Sequence, residues 1–256
     1  MSLELAFIAQ GDAGPPVLIL HGLLGSARNW SGFARQLGAT HRVFALDLRN
    51  HGRSPRAATM GIGEMAEDVD AFLQRHGLAP AALIGHSLGG KVAMRLALDR
   101  SDLVARLVVV DVAPVTYTHS LGQYVDAMRR VRLDRAERRS EVDGQLAHTI
   151  DEPRLRAFLL QNLVRESGGY RWRIDLEAIA HNLPRLMAFP GDHGPSYDGP
   201  TLFIAGGRSH YLRDAHRPTI EGLFPNAELV TIAEAGHRVH VDQPGAFLQR
   251  VGAFLA

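Results

Sequence analysis

AALIGHSLGGKVAMRLALD, residues 81–99, carries more of the fold than any other stretch of the chain. Four apolar residues, Ala81 to Ile84, run into Gly85-His86-Ser87-Leu88-Gly89-Gly90, and from Gly90 to Asp99 apolar side chains recur three and four apart. The pattern predicts a buried strand, a sharp turn and a helix. Glycines flank the serine because a turn this tight brings side chains on either side of it into neighbouring backbone. Ser87 is thereby expected at the carboxyl end of a central strand, with the positive end of the next helix beneath it. A glycine-rich turn with an idle serine is the plainer alternative, and the strand, turn and helix in that order weigh against it.

Working outward, short apolar runs recur at Val17 to Leu20, Val43 to Leu46, Leu107 to Val110, Leu202 to Ala205 and Leu229 to Ile232. Being rich in Val, Ile and Leu without alternation, they suit parallel strands covered on both faces. Helical patterns over Met65 to His76, Gly90 to Asp99, Arg213 to Leu223 and Ala246 to Leu255 give the rhythm of a doubly wound α/β sheet. About ninety residues separate Val110 from Leu202. A structureless loop of that length is improbable in a compact domain. A mostly helical cap over residues 115–190 is expected instead, with helices near Leu121 to Arg132, Ala136 to Thr149, Pro153 to Leu163 and Asp175 to Asn182. Residues 1–114 and 191–256 would form the core.

At 256 residues and 46% hydrophobic composition, the chain is long enough for one catalytic domain with such an insertion. The 28 Lys plus Arg nearly balance the 27 Asp plus Glu, so no strong field favours nucleic acid as a partner. Lys91 is the single lysine. The absence of cysteine excludes a thiolate nucleophile and a cysteine zinc site. No apolar run approaches the roughly 18 residues of a membrane span, and MSLELAFIAQGD lacks the features of an export signal, so a cytoplasmic location is expected.

A serine hydroxyl needs a base before it can attack a carbonyl. Of the thirteen histidines, His237 follows the last apolar run on a loop before the closing helix, the chain order that suits this architecture. His240 is the near competitor, expected instead to flank a helix start. A metal pair of His237 and His240 finds no further ligand set, and no metal or cofactor is called for. The oxyanion of an acyl-transfer step needs two fixed donors. Leu88 N–H is one; the other is expected in His21-Gly22-Leu23-Leu24-Gly25, with Leu23 N–H pointing inward.

Together with Asp47-Leu48-Arg49-Asn50-His51-Gly52-Arg53-Ser54 and Gly236-His237, these motifs resemble the α/β-hydrolase superfamily. Within it the chain is similar to the small bacterial esterases and acyl-thioesterases related to α/β-hydrolase domain-containing protein 11. The resemblance spans nearly everything outside the insertion. It implies an α/β-hydrolase fold, a mostly parallel sheet with a helical cap after the sixth strand, and cofactor-free hydrolysis of a small acyl ester or thioester, possibly an acyl-CoA, through an acyl-enzyme. Perhydrolases and carbon-carbon bond hydrolases share the fold and triad, but their glycine- and proline-rich signatures are not evident here. A non-catalytic binding protein would have no use for a strained serine turn.

Many relatives carry the triad acid after the strand equivalent to Thr201–Ala205, where this chain has Ser209. The resembling group places it one strand earlier, which implies Asp111; Asp214 is the rival. An acid on either tip could reach one imidazole, since adjacent strands lie under about 5 Å apart. Asp47 and Arg53 are expected to tie their loop together, whereas Arg49 and Asn50 are weaker candidates for substrate contact. Other substrate-facing candidates are His21, His86, Tyr124, Trp172 and Tyr211. Arg129, Arg130, Arg132 and Arg208 could meet an acyl-CoA phosphate, although a solvated helix face is their plainer reading.

Overall fold

Runs of Val, Ile and Leu with no polar alternation form strands buried on both sides. The computed structural model describes residues 2–118 and 121–256. In chain order the core contributes β1 (Phe7–Gln10), β2 (Pro16–Leu20), α1 (Ser31–Leu37), β3 (Arg42–Leu46), α2 (Ile62–His76), β4 (Ala81–His86), α3 (Leu88–Asp99) and β5 (Val104–Val110). The insertion follows with α4 (Gly122–Arg130), α5 (Arg139–Ala147), α6 (Pro153–Leu159), a hairpin of β6 (Leu163–Glu166) and β7 (Gly169–Trp172), and α7 (Leu176–Met187). The chain then returns to the core through β8 (Thr201–Gly206), α8 (Arg217–Leu223), β9 (Ala227–Ile232), α9 (Val239–Asp242) and α10 (Pro244–Leu255).

The seven core strands lie in the order β1-β3-β2-β4-β5-β8-β9, parallel throughout except for β1, which runs antiparallel to β3. This is the α/β-hydrolase fold that the motifs implied. One detail is corrected: the insertion leaves after the fifth strand in chain order, not the sixth, because the amino-terminal segment supplies a single strand.

Successive residues along the central strands face opposite sides of the sheet. Leu18, Leu83, Leu107 and Phe203 pack with α2, α3 and the insertion, while Ile19, Ile84, Val108 and Ile204 pack with α1 and α10. Val125, Met128, Leu146 and Ile179 of the insertion join the first cluster, so the insertion shares the core's apolar interior. Among the described residues no helix is long and apolar enough to cross a membrane.

Polar groups weld the segment around residues 47–54. Arg49 is 1% exposed and gives Nε and Nη2 to the two Asp68 oxygens at 2.7 and 2.8 Å, with further bonds to the Thr59 and Glu64 carbonyls. A guanidinium so fully engaged has nothing left for a substrate. Asn50 is likewise spent, bonding the Ala57 backbone in both directions. Asp47 accepts from the Ala27 and Arg53 amides at 2.7 and 3.0 Å, the tying role expected of it.

Lys91 anchors the insertion from below. Its buried ammonium donates to the last carbonyls of α7 and the residue beyond: Met187 (2.6 Å), Ala188 (3.0 Å) and Leu186 (3.4 Å). A cation suits the negative end of a helix. Burial nonetheless pushes its pKa down to about 7.

Candidate active site

Parallel strands deliver their carboxyl ends to one edge, and the candidate residues follow those ends directly. Ser87 follows β4, Asp111 follows β5, and His237 lies on the loop after β9. Ser87 N–H donates to Val110 O at 3.0 Å and Asp111 N–H to Ile204 O at 2.8 Å, so each residue is pinned by the next strand. Ser87 and Asp111 both sit at φ 52°, a left-handed conformation that costs a non-glycine residue on the order of 1 kcal/mol or more. The turn leaves no room for substitution beside the serine. A Cβ on Gly85 would lie 2.3 Å from Gly89 O, and one on Gly89 would lie 2.3 Å from Leu20 O.

The structure brings the three predicted side chains into line. His237 Nδ1 stands 2.7 Å from Asp111 Oδ2, and His237 Nε2 stands 3.1 Å from Ser87 Oγ. Since a carboxylate only accepts, Nδ1 carries the proton and Nε2 is left to accept from the serine hydroxyl. Asp111 is fully buried, and its charge is matched by three donors: His237 Nδ1–H, Gly206 N–H at 3.0 Å on Oδ1, and the Ser209 hydroxyl on Oδ2. Ser209, at the place where the superfamily resemblance leads one to expect the acid, thus donates to the carboxylate that follows the neighbouring strand. Asp214 lies exposed at the head of a short turn, Asp214–His216, apart from this network.

The imidazole of His237 is held by more than the Asp111 carboxylate. Tyr211 stacks on it with ring centroids 3.9 Å apart and planes 22° apart. Tyr117 OH accepts from Ala113 N–H at 2.8 Å and donates to Tyr211 O at 2.6 Å, which joins the loops after β5 and β8. His86 Nε2–H donates to His237 O at 2.8 Å. Nε2 of His86 is therefore spent on the backbone of the histidine loop, while the ring itself borders the cavity beside Ser87. His240 stacks on Trp30 at 3.8 Å and takes no part in the Ser87 network. Among the described residues no three His, Cys, Asp or Glu side chains gather as metal ligands.

The loop expected to carry the second donor, residues 21–25, is equally constrained. His21 Nδ1–H donates to Gly22 O at 2.8 Å, and Gly25 N–H donates to the same oxygen at 3.0 Å. In a trans peptide the C=O and the following N–H point opposite ways, so fixing Gly22 O fixes the direction of Leu23 N–H. His21 Nε2 accepts from Leu48 N–H at 3.0 Å, leaving no ring nitrogen for a substrate. Trp172, another substrate-facing candidate, instead packs inside the insertion and donates from Nε1 to Met128 O at 3.0 Å.

Two spaces meet at Ser87. A narrow, apolar recess of about 20 Å³ is walled by Leu23, Leu88, Val112, Tyr117 and Met187. A wide cavity of about 890 Å³ opens on the other side, between Trp30, His86 and His237 of the core and Tyr124, Phe158 and Gln161 of the insertion. Leu23, Ser87, Leu121 and Tyr211 border both. Of the arginines considered for phosphate contact, Arg208 lines the wide cavity but is paired with Glu234. Arg129 and Arg132 pair with Glu177 and Asp134 on the surface. Arg28, Arg154 and Arg238 line the cavity too, and their sequence positions gave no signal of it.

Burial drives the pKa of several imidazoles below the usual histidine range, among them His21 and, more strongly, His86, with His51 and His240 pushed to about 3. These rings stay neutral in the folded protein while the unfolded chain takes up protons near pH 6.5. Their contribution to stability is complete above that pH and is lost as the pH falls toward the folded values, by up to about 1.4 kcal/mol per imidazole per pH unit. Urea unfolding at pH 7.5 and 5.5 is expected to show a loss of several kcal/mol at the lower pH. Equal stability at the two values would contradict the neutral assignment.

Comparison with known proteins agrees with this architecture. The family described as the alpha/beta hydrolase fold matches residues 15–244. The sn-1-specific diacylglycerol lipase ABHD11 of Mus musculus is 41% identical, over 97% of this chain and 84% of its own. Esterase YbfF of Escherichia coli (strain K12) is 33% identical, over 94% of this chain and 92% of its own. A solved structure described as a marine microorganism esterase superposes with a TM-score of 0.96 at 39% identity, covering 99% of this chain and all of that one. The agreement in sequence and in backbone superposition over almost the whole length places the chain in the α/β-hydrolase fold family.

Proposed function

We propose that the chain is a serine hydrolase of carboxylic esters that works through an acyl-enzyme. The observation that carries this reading is the continuous line from Asp111 through His237 to Ser87, opening between two cavities. Ser87 Oγ attacks the ester carbonyl carbon while His237 Nε2 takes its proton, and the alkoxide that forms rests on the N–H groups of Leu23 and Leu88. The tetrahedral adduct collapses, the carbon-oxygen bond to the alcohol breaks, and His237 returns the proton to the leaving oxygen. Water activated by the same nitrogen then attacks the acyl-Ser87 ester, releasing the carboxylic acid and restoring the serine. Asp111 keeps His237 in the tautomer that both half-reactions need and supports it when charged. The insertion acts as a cap, completing the wide cavity over the serine.

Relatives named as esterases and as a diacylglycerol lipase support ester substrates. A thioester is the second reading, favoured by the arginines Arg28, Arg154 and Arg238 around the wide cavity, where a phosphorylated thiol could lie. A panel of p-nitrophenyl esters and acyl-CoAs of matched chain length decides between the two leaving groups. In parallel, a fluorophosphonate is expected to add its mass to the peptide that contains Ser87. Failure to hydrolyse either series, together with an unlabelled Ser87, would end the proposal.

A further inference from the structure

Leu24 follows the proposed oxyanion donor Leu23 and sits at φ 62°, a conformation a leucine holds only when its surroundings insist on it. Two buried side chains do so from opposite sides. His51 Nε2 accepts from Leu24 N–H at 3.2 Å; its Nδ1–H donates to Arg49 O at 2.9 Å, which leaves Nε2 bare. Asn162 Nδ2 donates to Leu24 O at 2.8 Å. The first clamp belongs to the core. Asn162 belongs to the insertion, in the turn between α6 and β6, and is 3% exposed. The preceding residue, Gln161, accepts from Asn29 Nδ2 on the same side of the core, so the turn meets the core at two consecutive residues.

The geometry points to Asn162 as a positioning residue that makes the direction of the Leu23 N–H depend on how the insertion is seated. The inference rests on the serine-hydrolase reading. Without the amide, Leu24 O is buried without its donor, and the strained φ loses one of its two restraints. Leu24 O and Gly25 N–H belong to one peptide, so a carbonyl released from Asn162 lets that peptide turn and loosens the Gly25 N–H bond that holds Gly22 O and, with it, the direction of the Leu23 N–H. A donor moved off line matters most where charge develops on the oxygen and little where a neutral ester is bound.

The test compares Asn162→Ala and the milder Asn162→Ser with Asn182→Ala. Asn182 is the other buried amide joining insertion to core, donating to Ala58 O at 2.9 Å and accepting from Met60 N–H at 3.3 Å. It touches nothing in the donor loop. For the Asn162 variants, kcat for p-nitrophenyl butyrate per fluorophosphonate-titrated site is expected to fall roughly ten- to a hundredfold, less than the hundred- to thousandfold of deleting a donor outright. KM should stay within about twofold, and affinity for an alkyl boronic acid, which forms a tetrahedral adduct on the serine, should fall with kcat. Asn182→Ala is expected to lower Tm while leaving kcat per site and boronate affinity unchanged. The serine variant, which keeps a small polar group in the buried position, provides the measurement if the alanine variant does not fold. Wild-type kcat per titrated site in a folded Asn162 variant overturns the inference. So does an equal loss of kcat in the Asn182 variant, which would mean that any loosening of the insertion suffices. A wild-type protein that neither hydrolyses the ester nor binds the boronate would bring down the hydrolase reading itself.

Discussion

Ser87→Ala is expected to reduce turnover of p-nitrophenyl butyrate by up to about a millionfold while leaving the fold intact. The size follows from what the hydroxyl does. On the proposed mechanism it is the atom that forms the covalent bond, and with it gone neither His237 nor Asp111 has a step to assist, so the contributions of the three vanish together. What remains is the binding and the two backbone donors, which catalyse only weakly without a nucleophile. The backbone at this position does not depend on the hydroxyl. Ser87 N–H donates to Val110 O, and Lys91 N–H donates to Ser87 O at 3.1 Å in the first turn of the helix. Alanine occupies the same φ at similar cost, so Tm should change little. The check is a rate measurement above the uncatalysed background, with circular dichroism confirming the fold. Equal rates in the variant and the wild type would mean that Ser87 forms no acyl-enzyme and that any activity comes from elsewhere.

The core strands and the serine turn were legible because each is set locally: apolar runs make buried strands, and G-x-S-x-G between a strand and a helix has few other uses. The Leu23 loop and His237 were legible by their place after such strands. The supporting side chains were not, because their partners lie far along the chain. Asn162 meets Leu24 at a separation of 138 residues, and Lys91 meets Met187 at 96. A lone asparagine in a helical pattern carries no sign of either. His21 and Trp172 drew attention as polar or aromatic residues near the motifs, but their polar atoms are consumed by backbone partners, as is Nε2 of His86, which only the three-dimensional arrangement reveals.

In the insertion the four helices lie where apolar periodicity placed them, with two misreadings. The pattern over Asp175 to Asn182 stops short of Pro184, yet α7 runs through that proline to Met187, its last carbonyls received by Lys91. The hairpin of β6 and β7 was passed over although Ser167-Gly168 supplies a turn signal between two short runs with aromatic and β-branched residues. Strands of four residues are too short for alternation to stand out. The first strand, β1, escaped for the same reason, while the strand count before the insertion came from the resemblance, which implied six where the chain has five.

Asp111→Asn is expected to lower kcat by about ten-thousandfold, and Asp214→Asn by less than about twofold. The argument turns on one backbone group. Gly206 N–H donates to Asp111 Oδ1 and cannot reverse its role, so an asparagine here keeps its carbonyl toward Gly206 and turns its NH₂ toward His237 and Ser209. Facing a donor, His237 Nδ1 must become the acceptor, which moves the ring proton to Nε2. That nitrogen then meets Ser87 Oγ as a donor and cannot take its proton. The opposite rotamer would set NH₂ against the Gly206 N–H inside a fully buried pocket, at a cost of about 1–3 kcal/mol for the unsatisfied donors. Ser209 changes role with it, because its hydroxyl loses the carboxylate it donated to and can only accept from the NH₂ that replaces it. Asp214 has no part in this chain of bonds, being exposed at the start of a separate turn. Rates per titrated serine for the two variants decide the matter: a severe loss in Asp214→Asn with a mild one in Asp111→Asn would move the acid to the strand that Ser209 follows.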